Sequence, residues 1–224
     1  ILLDLLRAEN WQRDVYIRPM FYKSDMGIGV RLHDLKDDLT IWSVPFVKYI
    51  KNDTNAHVTI SSWRRIDDNV IPARGKVSGA YVNSALVKTD AARSGFDEAL
   101  VLDQNGHVSE GSAMNVFMLR DGVVVTPPVT ENILEGITRR SVMELVRNEL
   151  GLPIVERPID RTETTICDEF FMTGTAAQVV AVTKVDYRPI GTGAMGPVVS
   201  KLRDLFEDVV RGRSKKYSQW ITEI

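Results

Sequence analysis

The chain has 224 residues, 44% of them hydrophobic and 26% charged, with a formal net charge of −2; this is enough to bury a core without disulfide or metal staples, and the balance excludes attachment to nucleic acid by bulk positive charge. Cys167 is the only cysteine, which excludes an internal disulfide or a thiolate zinc cluster within one chain and points to a reducing, cytoplasmic setting. No run of about 18 uncharged apolar residues marks a membrane span, and the first residues lack the basic flank and cleavage pattern of a secretory signal.

Ile1 rather than Met opens the chain, and Leu2, Leu3, Leu5 and Leu6 interleaved with Asp4, Arg7 and Glu9 read as the middle of an amphipathic helix, so further residues are expected upstream. An extended apolar segment follows at Val15–Tyr22. After the Met26-Gly27-Ile28-Gly29 turn and the charged stretch Arg31–Asp38, the TIWSVPFVKYI run is expected as a strand interrupted by Pro45 and ending near Lys51. His57–Trp63 alternates as another strand. A polar connection, Arg64–Asn69, leads through Ile71–Lys76 to a helix that starts near Ser78-Gly79 and stops at Gly95. From Asp97 to Val125 strands return, and Asp121-Gly122 between two apolar runs signals a hairpin. Gly136-Ile137-Thr138 opens a helix through Leu150 that Gly151 ends; Ile154–Pro158 is a short strand, VVAVTKVDYRPIG a hairpin, and Gly196–Val210 an amphipathic helix. The class is α+β, strand-rich, with helices packed on the strands.

Four residues stand where chemistry is possible. Lys76, flanked by Gly75 and small residues just before a helix, is placed for burial that would push its ammonium toward the neutral amine, although a solvated surface lysine is the more common outcome. Glu110 lies between Val108 and Val116, where a carboxylate needs a cationic or donor partner; a protonated ring nitrogen is one such partner, and Arg74 is another. Gly136-Ile137-Thr138 offers free N–H groups, a dipole end and a hydroxyl to a phosphate, or is a plain helix cap. Thr173-Gly174-Thr175-Ala176-Ala177 offers hydroxyls and amides to an anion, or is an ordinary tight turn.

The order of these pieces resembles the branched-chain aminotransferases of the fold-type IV pyridoxal-phosphate enzymes. It is carried by Y-I-R-P at Tyr16–Pro19, K-V-S-G-A-Y at Lys76–Tyr81, S-E-G-S-A-M-N-V-F at Ser109–Phe117, T-P-P at Thr126–Pro128, L-E-G-I-T-R at Leu134–Arg139 and T-G-T-A-A at Thr173–Ala177. The resemblance implies a strand-rich, barrel-like cofactor-binding large domain over 46–224. It also implies that 1–45 is the remnant, a strand and an interface loop, of a small N-terminal domain otherwise missing from the chain. It makes Lys76 the imine-forming lysine and proton shuttle, Glu110 the carboxylate at the pyridine nitrogen, and Tyr81 the phenol near the ring oxygen. The amides of Ile137 and Thr138, the Thr138 hydroxyl and Thr175 would hold the phosphate. Thr175 and Ala176, with Tyr16, would bind the substrate carboxylate, and Arg18 the second carboxylate of glutamate.

Phe46 and Tyr49 would wall an apolar side-chain pocket, with Ile28 and Val30 contributed by a neighbouring subunit in a homodimer or higher homo-oligomer. The implied reaction is ping-pong transamination of leucine, isoleucine and valine with 2-oxoglutarate or glutamate. The sequence departs from the family at G-A-Y in place of G-N-Y and at Met114 where some members carry an acidic residue. D-amino-acid aminotransferases and aminodeoxychorismate lyases share the lysine, the S/T-E-G motif and the G-I-T helix start, but Y-I-R-P and G-A-Y point away from them; a catalytically silent remnant of the fold is the reading from another class.

Overall fold

The computed structural model describes residues 1–46 and 48–224. Its contacts divide the chain into two units, Ile1–Lys48 with Thr222–Ile224, and Tyr49–Ile221.

In the first unit, helix α1 (Leu2–Glu9) precedes an antiparallel hairpin of β1 (Val15–Lys23) and β2 (Asp37–Pro45), paired from Val15 opposite Pro45 to Lys23 opposite Asp37. The second strand ends at Pro45, with one further bond from the Phe46 N–H to Asp14 O, instead of running on toward Lys51. The part of that expectation at Val47 lies outside the described residues. The loop joining β1 to β2 leaves Met26, Ile28 and Val30 fully exposed.

The second unit is built on a nine-stranded sheet. Its strands are β3 (Ala56–Arg64), β4 (Glu98–Leu102), β5 (Val108–Gly111), β6 (Asn115–Arg120), β7 (Val123–Thr126), β8 (Ile154–Glu156), β9 (Glu169–Gly174), β10 (Gln178–Val185) and β11 (Arg188–Pro189). They lie in the order β5-β4-β3-β10-β9-β6-β7-β8, with β11 on β10. The β3–β4, β3–β10 and β7–β8 pairs are parallel and the others antiparallel. Helix α2 (Tyr81–Arg93), entered through a 3₁₀ turn at Ser78–Ala80, makes the crossover from β3 to β4 that parallel neighbours require. Asp121 and Gly122, both at positive φ (53° and 75°), turn β6 into β7 as the Asp-Gly pair predicts.

Alternate residues of the central strands enter different cores. Phe117, Leu119, Phe171, Val179 and Ala181 pack with Val142 and Leu145 of α3 (Ile137–Leu145) and with Leu202 and Phe206 of α4 (Pro197–Val210). Val116, Met118, Phe170, Met172, Val180 and Val182 form a second cluster with residues of other strands and connecting loops. A sheet covered on one face by helices and gathered over its own apolar side chains on the other explains why β6 and β9 read as continuous apolar runs rather than alternating ones. The segment after α3 widens into a π turn, Val146–Leu150, before Gly151 at φ 65° ends it, so the helix expected through Leu150 changes its winding for the last turn.

Candidate active site

One cavity of ≈ 290 Å³ in the second unit is lined by Lys76, Tyr81, Glu110, Ile137, Thr138 and Thr175, together with Arg65, Ser112, Met114, Asn115, Gly136 and Thr173. These come from six places in the chain. The 65–77 loop carries Lys76 from the end of β3 to the start of α2, folded by Ala73 N–H on Asp68 Oδ1 (2.8 Å) and Val77 N–H on Gly75 O (2.7 Å). Lys76 itself is exposed, so the burial expected of it is not what the loop provides. Its Nζ donates to the Tyr81 hydroxyl at 2.6 Å and lies 5.1 Å from the centre of that ring.

Glu110 is the buried charge of the site. Strand β5 is buried along its whole length, and Glu110 retains 4% of its surface. Its partner is Arg65 rather than Arg74: Arg65 Nη2 sits 2.9 Å from Glu110 Oε1, whereas Arg74 pairs with Glu135 at 2.9 Å. Asn115 Nδ2 (3.3 Å) and the Leu134 N–H (3.1 Å) donate to the other carboxylate oxygen. Burial pushes the Glu110 carboxyl up to about 7, against the pull of Arg65, the Leu134 N–H and the Lys76 charge. Arg65 is held in turn by its Nε on Asn132 O at 3.1 Å. Sequence reasoning missed Arg65 and Asn115. Nothing local marks Arg65, which is 45 positions before Glu110, whereas Asn115 lay inside the S-E-G-S-A-M-N run and was readable only as part of it.

The first turn of α3 points its N–H groups, free of intrahelical acceptors, along this cavity wall. Arg139, buried, fixes that turn by donating from Nη2 to Pro127 O (3.0 Å) and Glu156 Oε2 (2.7 Å). A Cβ at Gly136 would overlap Asn115 Oδ1, so glycine is what lets the helix start lie against the residue that supports Glu110. Across the cavity, Thr175 is exposed in the turn after β9, while the hydroxyls of Ser112 and Thr173 are buried without a hydrogen-bond partner. Orphaned hydroxyls, free helix amides, a cation and a carboxyl lining one cavity suit a ligand that carries both an anionic group and a basic ring nitrogen. A pyridine that bears a phosphate fits that donor set.

The remaining expected residues lie elsewhere. Tyr49, in the same unit, does not line the cavity; its ring lies 5.3 Å from Lys88 Nζ, beside α2. Ala176 is not in the lining but adjoins Thr175, which is. In the first unit, Arg18 Nη2 donates to Tyr16 OH at 3.2 Å and its guanidinium lies 5.3 Å from the ring centres of both Tyr16 and Trp42. Phe46 is half-buried and donates its N–H to Asp14 O. Ile28 and Val30 are fully exposed in the loop between β1 and β2.

The model of the amino-transferase class IV family matches residues 1–185. The chain belongs to the class IV aminotransferase family. It is 44% identical over 224 residues, all of this chain and 72% of the relative, to a probable branched-chain-amino-acid aminotransferase of Aquifex aeolicus. It is 35% identical over 225 residues, 99% of this chain and 72% of the relative, to the branched-chain-amino-acid aminotransferase of Escherichia coli K12. Among solved structures, the Thermobaculum terrenum branched-chain amino acid aminotransferase in its PLP form superposes with a TM-score of 0.93 at 40% identity, over 99% of this chain and 72% of that one. Within the class IV family the chain thus groups with the branched-chain aminotransferases, as an α+β fold-type IV chain and an aminotransferase enzyme.

Proposed function

We propose that this aminotransferase moves the amino group of leucine, isoleucine or valine to 2-oxoglutarate, and back from glutamate, in two half-reactions at the Lys76 cavity. Pyridoxal phosphate is its cofactor; when bound, it supplies an aldehyde that amines can join and a ring that accepts the electron pair left when the substrate Cα–H bond breaks. The observation that carries this reading is a lysine, a buried carboxylate and a helix N-terminus lining one cavity.

The roles follow from chemistry. Among the described residues Lys76 Nζ is the only lysine amine in the lining, and it is exposed enough to join an aldehyde and then to carry a proton to and from Cα. The Tyr81 hydroxyl at 2.6 Å orients that amine and faces the ring oxygen. Glu110, kept in place by Arg65, Asn115 and the Leu134 N–H, faces the ring nitrogen and favours its protonated form. Ile137, Thr138 and Thr175 hold the phosphate. Thr175, Ala176, Tyr16 and Arg18 take the substrate carboxylates, and Phe46, Tyr49, Ile28 and Val30 take the apolar side chain. In this reading residues 1–45 belong to a small domain and 46–224 form the cofactor-binding domain. A reducing cytoplasm suits the single, buried Cys167.

Steady-state assays with pyridoxal phosphate test the reading. L-Leucine is expected to be turned over only when 2-oxoglutarate is present; preference for D-alanine, or release of pyruvate from aminodeoxychorismate, would assign the site to a different reaction of the same fold.

We also infer a homodimer in which Ile28 and Val30 of one subunit close the pocket of the other. Met26, Ile28 and Val30, fully exposed and interleaved with Gly27 and Gly29, are apolar surface that a partner would cover. Dilution to monomers is then expected to raise the KM for leucine before the cofactor is released. Light scattering that shows a monomer with an unchanged KM would remove this inference.

A further inference from the structure

Outside the catalytic cavity, one cluster of ligating side chains among the described residues is unexplained by transamination. The turn between β4 and β5 brings Asp103 and His107 together: Asp103 Oδ1 accepts the N–H groups of Asn105 (3.0 Å) and His107 (2.8 Å), so its carboxylate is fixed by the backbone. The 3₁₀ turn Val129–Glu131 lays Glu131 against them, anchored by the Ser109 hydroxyl on Glu131 O at 2.5 Å. One ligand atom from each of Asp103, His107 and Glu131 lies within 4.8 Å of the other two.

Two of those atoms are orphans. Glu131 is 6% exposed and its Oε2 is buried without a hydrogen-bond partner. His107 Nδ1 is likewise buried and unpartnered, 3.5 Å from that oxygen, while His107 Nε2 faces Asp160 Oδ1 at 3.7 Å. Asp103 is 2% exposed. Two buried carboxyl groups facing each other either share a proton or take a cation between them.

We propose that Asp103, His107 and Glu131 form a binding site for a divalent transition metal ion such as Zn²⁺. One imidazole nitrogen and two carboxylate oxygens are the ligand mix that such ions take, with solvent completing the coordination. Ligands around a tetrahedral zinc stand about 3.4 Å apart, so the three atoms close on an ion with shifts of about 1 Å. Asp103 also lines a polar cavity of ≈ 320 Å³ with Asp67, Gln104, Asn105 and Thr130. The candidate ligands are held from behind: the backbone holds Asp103, Ser109 holds the Glu131 turn, and Asp160 faces the far nitrogen of His107. The site adjoins the supports of Glu110, since Asn132, next to Glu131, accepts the Arg65 Nε and Ser109 precedes Glu110.

The test is isothermal titration of Zn²⁺ into chelator-stripped holoenzyme at about pH 7.5, where proton competition for the ligands is small. One ion per chain is expected, with His107→Ala weakening uptake at least about tenfold and His33→Ala, an exposed histidine elsewhere, leaving it unchanged. If His107→Ala does not fold, Glu131→Gln, which keeps the side-chain shape, is read by the same criterion. Co²⁺ provides a second readout, as its visible ligand-field bands should appear in the wild-type holoenzyme and be lost in the variant. Absence of Zn²⁺ uptake, or equal uptake by wild type and variant, would overturn the proposal and leave the trio as a proton-sharing structural cluster.

Discussion

Lys76→Ala is expected to abolish transamination, lowering leucine turnover by at least about 10⁴-fold, while the protein keeps its fold. The side chain is exposed and its hydrogen bond from Nζ goes to the Tyr81 hydroxyl, so truncation removes little packing. The unfolding free energy should therefore change by no more than the ~0.5 kcal/mol typical of surface substitutions. What is lost is the amine that joins the cofactor and the base that moves the Cα proton, two roles that no other lysine in the lining can assume. Turnover within tenfold of wild type would withdraw Lys76 from the chemistry. Circular dichroism and melting curves separate that outcome from misfolding.

Glu110→Gln is expected to act on rate and on pH dependence in different ways. A neutral amide fills the same volume but does not hold a ring nitrogen protonated, so Cα–H cleavage in a single turnover should slow by about 10²–10³-fold with the cofactor still bound. The cofactor-free protein carries the second signature. Burial raises the Glu110 carboxyl from 4.5 to about 7 in the fold. The folded chain therefore holds this proton more tightly than the unfolded one, and the associated stability is full below pH 4.5 and is lost as pH rises through 7. That loss amounts to about 3 kcal/mol. The glutamine variant should lack this slope. Denaturant titrations of both proteins from pH 4 to 8 make the comparison; parallel slopes would mean that Glu110 is ionised throughout and that its burial is balanced by Arg65.

The comparison of sequence with structure divides by range. Features set by neighbouring residues were legible along the chain. The Asp121-Gly122 turn needs two positive φ angles, Gly95 and Gly151 end their helices in the left-handed region, and Gly136 precedes a helix whose first amides are free. The order of the motifs around Lys76, Glu110, Gly136 and Thr173 likewise identified the family, because each motif is a local backbone device that holds its own shape.

What the sequence left undecided depends on residues far apart. Glu110 showed a need for a cation, and Arg74 was the arginine read for it; the return of the chain from β3 alongside β4, which binds Arg65 N–H to Leu102 O at 2.9 Å, sets the Arg65 guanidinium against Glu110 instead and leaves Arg74 for Glu135. The exposure of Lys76 was hidden for the same reason, since small neighbours mark a tight loop but not which way it faces. Hydrophobic pattern and turn chemistry act over a few residues and survive in any reading of the sequence. Pairing and burial of charges are decided by which strands become neighbours, and that is set by the packing of the sheet as a whole.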